Sequence, residues 1–209
     1  MFFTLLFFSC KFFPLWYNNL EIVFRESSME HKFKAQIMDA AGVERTLVRI
    51  AHQIIEKNQG VDNICLIGIK TRGVPLAKRI AANIKHIENV DVPVGELDIT
   101  LYRDDLSRMS DAPVVSDTNI PFSIKDKTVI LVDDVIYTCR TARAALDAIM
   151  AISRPARIQL CAMVDRGHAE LPIKANFVGK NIPTSHSELV SVKLEEIDGE
   201  TGISIFNKI

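Results

Sequence analysis

Residues 128–149 read TVILVDDVIYTCRTARAALDAI, and the fold is decided in this stretch. Thr128 to Val132 is a short run rich in β-branched apolar residues, the pattern of a strand buried on both faces of a parallel sheet. Asp133 and Asp134 end the apolar run with adjacent carboxylates. Tyr137-Thr138-Cys139-Arg140-Thr141 follows as a small polar turn. From Thr141, Ala144, Ala145, Ala148 and Ile149 are spaced to put one helical face against a sheet. A turn at a helix N-terminus presents free backbone N–H groups and the positive end of the helix dipole, which suits a phosphate. Thr138 and Thr141 add hydroxyls and Arg140 a cation. Paired acids at the strand end suit sugar hydroxyls and would be costly there without a partner. A phosphate with a ribose behind it fits this order; an ordinary βα unit with a capped helix is the plainer alternative.

The chain has 209 residues, enough for one sizeable α/β domain, with 48% apolar and 24% charged residues. A net charge of −1 argues against a wholly basic nucleic-acid-binding protein but allows a local basic face. None of the four cysteines forms a C-x-x-C pair, which speaks against a zinc site. Cys65 and Cys161 lie in apolar runs and read as buried, reduced thiols of a cytoplasmic protein.

Residues 1–28 differ from the rest. Met1 to Phe13 is dense in Phe and Leu, without the basic start or small-residue cleavage site of a signal peptide, and too short for a membrane span. The segment reads as translation from upstream of the true start, with Met29 beginning the domain. A membrane-associating leader and a packing element are the alternatives. Residues 29–209 then form a single domain.

Met38 to Asn58 carries an apolar stripe at helical spacing (Val43, Leu47, Ile50, Ile54), with Gly60 as its stop. Asn63 to Ile69 reads as a buried strand that ends in Lys70-Thr71-Arg72-Gly73 and opens a helix near Pro75. The two cations favour a multiply charged anion. Val92 to Leu101 reads as a strand, followed by Arg103 and a loop of roughly fifteen residues of the length that is often functional. Arg157 to Val164 is another strand, Leu171 to Ile182 contains a short one, and Ser187 to Ile209 suits a terminal pair broken at Asp198-Gly199. Strands alternating with helices imply a mainly parallel sheet flanked by helices, with ligands at the C-terminal strand edges where all these polar turns fall.

The DDVIYTCRT stretch resembles the phosphoribosyl pyrophosphate (PRPP) signature of type I phosphoribosyltransferases. GIKTRG, GELDITLYRDDL, VILVDDVIYT-x-RTARAALDA and VDRGH-x-ELPI-x-A-x-x-VGKNIPTS together resemble the PyrR family of bifunctional pyrimidine-operon regulators over residues 38–209. That resemblance implies the type I phosphoribosyltransferase fold, with a small hood from the terminal segments and a flexible active-site loop. It implies that Lys70, Thr71, Arg72, Gly73 and Arg103 meet the pyrophosphate. Asp133 and Asp134 would hold the ribose hydroxyls, with Arg103 in the catalytic role beside them. Thr138, Cys139, Arg140 and Thr141 would hold the 5′-phosphate, and Val164, Asp165 and Arg166 would border uracil. Tyr137 stands where purine enzymes usually carry an acid. Ala169 stands where Arg is common. Cys139 replaces the usual Gly, which permits positive φ; the substitution suits a turn that is not left-handed, and Cys139→Gly is expected to raise PRPP affinity.

The implied reaction is uracil plus PRPP giving UMP and pyrophosphate, with Mg²⁺ carried mainly by PRPP and no cage of protein ligands. The implied second role is pyrimidine-responsive transcription attenuation, by binding a hairpin in the pyr operon mRNA under control of UMP or UTP. Candidate RNA contacts are Arg49, His52, Arg143 and Arg154, whose plainer reading is a solvated face. The family's homodimers or homotetramers would enlarge such a surface, with no membrane involved. The alternatives are a nucleotide-sensing regulator with catalysis weakened by Cys139, and a uracil phosphoribosyltransferase with no RNA role.

Overall fold

The structure, a computed structural model, describes residues 31–100 and 117–209. The readings of residues 1–28, of Arg103 and of the active-site loop lie outside these. Five strands form a parallel sheet in the order β3-β2-β4-β5-β6. They are β2 (Ile64–Ile69), β3 (Val94–Leu97), β4 (Thr128–Ile136), β5 (Arg157–Asp165) and β6 (Phe177–Asn181). All six residues of β2, ICLIGI, are buried. A strand that is apolar without alternation needs cover on both faces. Helices α1 (Ala40–Asn58) and α2 (Gly73–Glu88) cover one face, around Leu66, Ile130, Val132 and Met163. Helix α3 (Arg140–Ile152) covers the other, around Ile67, Val129, Leu131 and Ala162.

The strand order places the site. Helix α2 connects β2 to its neighbour on one side, and α3 connects β4 to its neighbour on the other. Both crossovers joining parallel strands are right-handed by rule, so the chain runs out in opposite directions from between β2 and β4. The crevice at the C-terminal ends of these two strands is the switch point where open α/β sheets bind ligands.

A second, antiparallel sheet in the order β1-β8-β7 joins β1 (His31–Met38), β7 (Glu188–Lys193) and β8 (Gly202–Lys208) into a hood, with the short helix α4 (Glu195–Asp198) between β7 and β8. Strand β1 was not legible in the sequence, where the first element is a helix beginning at Met38. Its residues are mostly exposed and give no clean alternation. The helix instead starts at Ala40, because the Asp39 carboxylate accepts from Gly42 N at 2.7 Å and caps it. Two boundaries also change. The strand expected over 92–101 is confined to Val94–Leu97. The strand expected to stop at Val132 continues to Ile136, so Asp133 and Asp134 lie within β4 and not beyond it. The ladder to β5 runs on through Asp133↔Ala162 to Ile136↔Asp165.

Candidate active site

Two loops meet at the switch point. The first follows β2: Lys70, Thr71 and Arg72 lead into α2, and the Lys70–Thr71 peptide bond is cis. Its close approach to the sheet requires two glycines. A Cβ on Gly68 would lie 2.4 Å from Val74 Cα, and one on Gly73 would lie 2.2 Å from the Val132 carbonyl oxygen. With both positions bare, the first turn of α2 seats directly on β2 and β4. No side chain caps α2, so its leading N–H groups stay open to an anion.

The second loop follows β4. Asp133 is buried, and its carboxylate oxygen accepts from Asp134 N at 3.0 Å. Burial, with the neighbouring Asp134 charge, pushes the Asp133 carboxyl well above the usual carboxylate range. Asp134 is only half-buried and accepts from Val135 N at 2.8 Å. The turn then reverses at Cys139, whose φ of 68° puts it in the left-handed region immediately before α3. The condition under which the sequence would tolerate Cys139, a turn that is not left-handed, is therefore not met. The side chain is tolerated because it leaves the turn inward. Cys139 is buried, and its Sγ lies 3.4 Å from the Ile173 carbonyl oxygen. Burial, reinforced by Asp165, raises the thiol's pKa. The same turn is fastened by Glu170 N donating to Thr138 O at 3.2 Å. α3, like α2, has no side-chain cap.

Between the loops lies a polar cavity of about 460 Å³, lined by Lys70, Thr71, Asp98, Ile99, Thr100, Asp133, Asp134, Val135 and Thr141. A cationic loop, two acids and the start of a helix thus surround one space, as the sequence order suggests. Lys70 Nζ meets the Asp117 carboxylate at 2.5 Å and its carbonyl at 2.7 Å, with Glu96 at 3.8 Å. The hydrogen bond to Asp117 is the main reason its ammonium pKa is raised. Asp98 and Thr100 were not singled out from the sequence, although both lie in the GELDITL segment. The Asp98 carboxylate accepts from Thr100 N at 2.9 Å and Thr100 Oγ1 at 2.6 Å, and the hydroxyl bond holds its pKa down. An acid followed two residues later by Thr is the local signal of such a turn.

Other expected residues are placed differently. Arg72 turns to the hood, where Nη2 meets Asp198 Oδ1 at 2.7 Å, and it does not line the cavity. Arg140 is exposed and bonds Glu170 Oε2 through Nε and Nη2, at 2.9 and 2.7 Å. Val164 is fully buried in the core beneath α1, leaving only its backbone for a ligand. Asp165 Oδ1 accepts from Gly167 N at 2.9 Å. Arg166 is 4% exposed, donates to Thr184 Oγ1, Ser185 O and Glu188 O, and stacks 4.1 Å over the Tyr137 ring. It binds the hood linker to the end of β5. Tyr137 Oη also lies 3.1 Å from His186 Nδ1.

The four cations considered for RNA do not share one face. Arg49 and His52 lie on α1, and Arg49 donates to the Gly179 carbonyl at 2.5 Å. Arg143 lies on α3, across the sheet, and pairs with Asp147. Arg154 follows α3, on the connection into β5.

The donors around the cavity are hard oxygens, which fit Mg²⁺, with the half-buried Asp98 and Asp134 the accessible carboxylates. Among the described residues no group of three His, Cys, Asp or Glu side chains is arranged to hold a metal by itself. A magnesium ion here would take most of its ligands from a diphosphate and water. No helix among the described residues is long and apolar enough to cross a membrane.

The phosphoribosyl transferase domain family matches residues 35–196. The solved structure of a hypoxanthine-guanine phosphoribosyltransferase from Bacillus anthracis superposes with a TM-score of 0.64 at 19% identity, covering 84% of this chain and 99% of that one. A mutant hypoxanthine phosphoribosyltransferase of Trypanosoma cruzi, solved as a ternary substrates complex, gives 0.66 at 17%, covering 84% and 96%. At such identities the likeness establishes the fold. Closer relatives are proteins named bifunctional protein PyrR. That of Clostridium beijerinckii is 59% identical over 177 residues, covering 85% of this chain and 99% of the relative. That of Pelotomaculum thermopropionicum is 62% identical over 172 residues, covering 82% and 95%. With the cavity at the switch point, its two anion-receptive loops and near-complete coverage of these relatives, the chain belongs to the phosphoribosyl transferase domain family and, within it, to the bifunctional PyrR proteins.

Proposed function

We propose that the chain is a uracil phosphoribosyltransferase that also acts as a pyrimidine-responsive regulator binding the pyr operon mRNA. The observation that carries the enzymatic half is the polar cavity shared by Lys70, Thr71, Asp133, Asp134 and Thr141. PRPP has a diphosphate, a ribose diol and a 5′-phosphate in that order, and the cavity offers complementary groups in the same order. Uracil N1 bonds to C1′ while the bond from C1′ to the diphosphate oxygen breaks; the N1 proton passes to water and diphosphate departs with the electron pair. The positive charge that gathers on the ribose ring is flanked by Asp134, and the leaving charge by Lys70 and the open N-terminus of α2. Magnesium, when bound with the diphosphate, adds Lewis-acid neutralisation of the leaving group. Thr141 and the N–H groups opening α3 receive the 5′-phosphate. Arg103 lies outside the described residues, and its proposed place is beside the departing diphosphate.

Uracil would border the end of β5, against backbone of Val164 and Asp165, with Arg166 shaping the pocket wall through Tyr137. The reading in which Cys139 removes catalysis is not favoured. Its thiol points at Ile173 and does not line the cavity. The regulatory half rests on the relatives' bifunctional character. Candidate RNA cations on two faces suit an RNA that spans more than one subunit of a homodimer or homotetramer. Among the described residues the cysteines, Cys65, Cys139 and Cys161, are free and buried, which fits a cytoplasmic protein.

The test is UMP formation from uracil and PRPP by the full chain and by a chain beginning at Met29. Turnover by both supports the enzyme and the domain limit at residue 29; no UMP from either overturns the enzymatic reading. Hairpin RNA affinity is then measured with and without UMP, and affinity indifferent to the nucleotide overturns the regulatory one.

A further inference from the structure

Helix α4 presents two acids to two arginines in the first half of α2 and just before it. Arg72, the residue immediately before α2, pairs with Asp198 through Nη2–Oδ1 at 2.7 Å and Nε–Oδ2 at 3.4 Å. Arg79, seven residues on and so on the same side of α2, takes Glu196 through Nε–Oε1 at 2.9 Å and Nη2–Oε2 at 2.7 Å. Asp198 is itself fixed, because its Oδ2 also accepts from Leu194 N at 2.9 Å. The Arg72 hydrogen bond holds the Asp198 carboxyl below the usual range, so the pair is ionised through the neutral region. The pair is partly buried: the side chains are 36% and 19% accessible. A planar guanidinium forked onto a carboxylate fixes direction as well as distance.

The consequence lies in where Arg72 is not. Lys70 and Thr71 line the cavity, while the next residue turns out of it to the hood. The Lys70 end of the loop is held by Lys70 N donating to Leu97 O at 2.9 Å and by the ammonium on Asp117, which leaves the Arg72 end to be fixed. Its helix has no side-chain cap, and its two glycines provide fit without holding.

We propose that Asp198 is a positioning residue for catalysis: by holding the Arg72 guanidinium away from the cavity it fixes the Lys70–Gly73 backbone, and with it the N–H groups that receive the diphosphate. Arg72 then acts as an anchor of the loop and not as a ligand of the diphosphate. The inference rests on the phosphoribosyltransferase reading, and the ligand it concerns is the diphosphate end of the substrate.

Asp198→Asn, Glu196→Gln and the exchanged pair Arg72→Asp/Asp198→Arg separate anchoring from the alternatives. UMP formation gives KM for PRPP and kcat, and calorimetry gives binding of inorganic pyrophosphate with Mg²⁺. Asp198→Asn is expected to raise the KM for PRPP and to weaken pyrophosphate binding about tenfold, a loss of about 1.4 kcal/mol, with kcat within about twofold. Glu196→Gln, which loosens α4 at a distance from the loop, is expected to leave both within about twofold. The exchanged pair is expected to recover most of the loss. Tighter pyrophosphate binding by Asp198→Asn would mean that Arg72 is a sequestered ligand, and overturns the proposal. Equal weakening by Asp198→Asn and Glu196→Gln would mean that α4 merely stabilises the fold, and overturns it too. A wild-type chain that binds pyrophosphate but forms no UMP sinks the enzymatic reading alone, because the anchor is still tested by binding.

Discussion

Cys139→Gly isolates the left-handed turn before α3. A non-glycine residue at φ 68° costs about 1–2 kcal/mol, which Gly recovers. Against this, the variant loses a buried Cβ and thiol, about 1–1.5 kcal/mol of apolar burial, together with a weak Sγ–H···O=C contact to Ile173. It also adds about 0.5–1 kcal/mol of backbone entropy to the unfolded chain. The opposing quantities nearly cancel, so Cys139→Gly should lie within about 1 kcal/mol of the parent, a Tm change of no more than about 4 °C. Cys139→Ala keeps the strain and loses the thiol, and should be about 1 kcal/mol less stable. Cys139→Val puts a β-branched side chain in the same region and should be the least stable. Because the thiol points at Ile173 and leaves the cavity to Thr141, the KM for PRPP should move less than about threefold in the Gly variant, so the gain in affinity expected from sequence is modest. Thermal unfolding of the three variants, with PRPP kinetics, checks the order. A Val variant as stable as the parent would refute the left-handed assignment, and a tenfold lower KM in the Gly variant would show that the thiol does obstruct the phosphate.

Gly73→Ala places a methyl 2.2 Å from the Val132 carbonyl and should destabilise by about 1–3 kcal/mol in denaturant unfolding while weakening pyrophosphate binding. Arg140→Ala breaks an exposed pair with Glu170, so it should cost under about 1 kcal/mol in stability and shift the KM for PRPP less than Thr141→Ala does. Asp133 has a folded pKa above its unfolded value and so binds more protons folded than unfolded between the two. Its contribution to stability is present below about pH 3.8 and is lost as pH rises through the folded value, so Asp133→Asn should gain in Tm relative to the parent towards neutral pH; a difference that stays flat with pH would count against the burial argument.

The parallel sheet and both site loops were legible because each depends on local pattern. ICLIGI and TVILV are apolar without alternation, and KTRG and DDVIYTCRT are polar at the strand ends. What the sequence hid depends on pairing at long range. Strand β1 is exposed on most of its length and becomes a strand only by pairing with β8, about 170 residues away. The direction of Arg72 was illegible for the same reason: a cation next to a glycine reads as an anion ligand, and its partner Asp198 comes from the other end of the chain. Likewise the burial of Arg166, expected to border uracil, was not legible, because its ties to Thr184, Ser185 and Glu188 come from the hood linker. Asp98 was missed although Thr100, two residues on, was a local signal; its other partner, the Asp117 N–H, lies 19 residues away and could not be read from local pattern.

The two halves of the cavity stand on unequal mechanical foundations. Asp133 and Asp134 lie within β4, which pairs with β5 through Asp133↔Ala162 and on to Ile136↔Asp165, so their spacing is set by the pitch of the sheet itself. The phosphate turn hangs from that strand by a single reversal at Cys139 and is trimmed into place by Glu170 and Ile173. Substitution in the turn therefore alters reach towards a phosphate while the distance from sugar to sheet stays constant. On the proposed function, a chain built this way can exchange the residue at the reversal and keep its grip on the ribose.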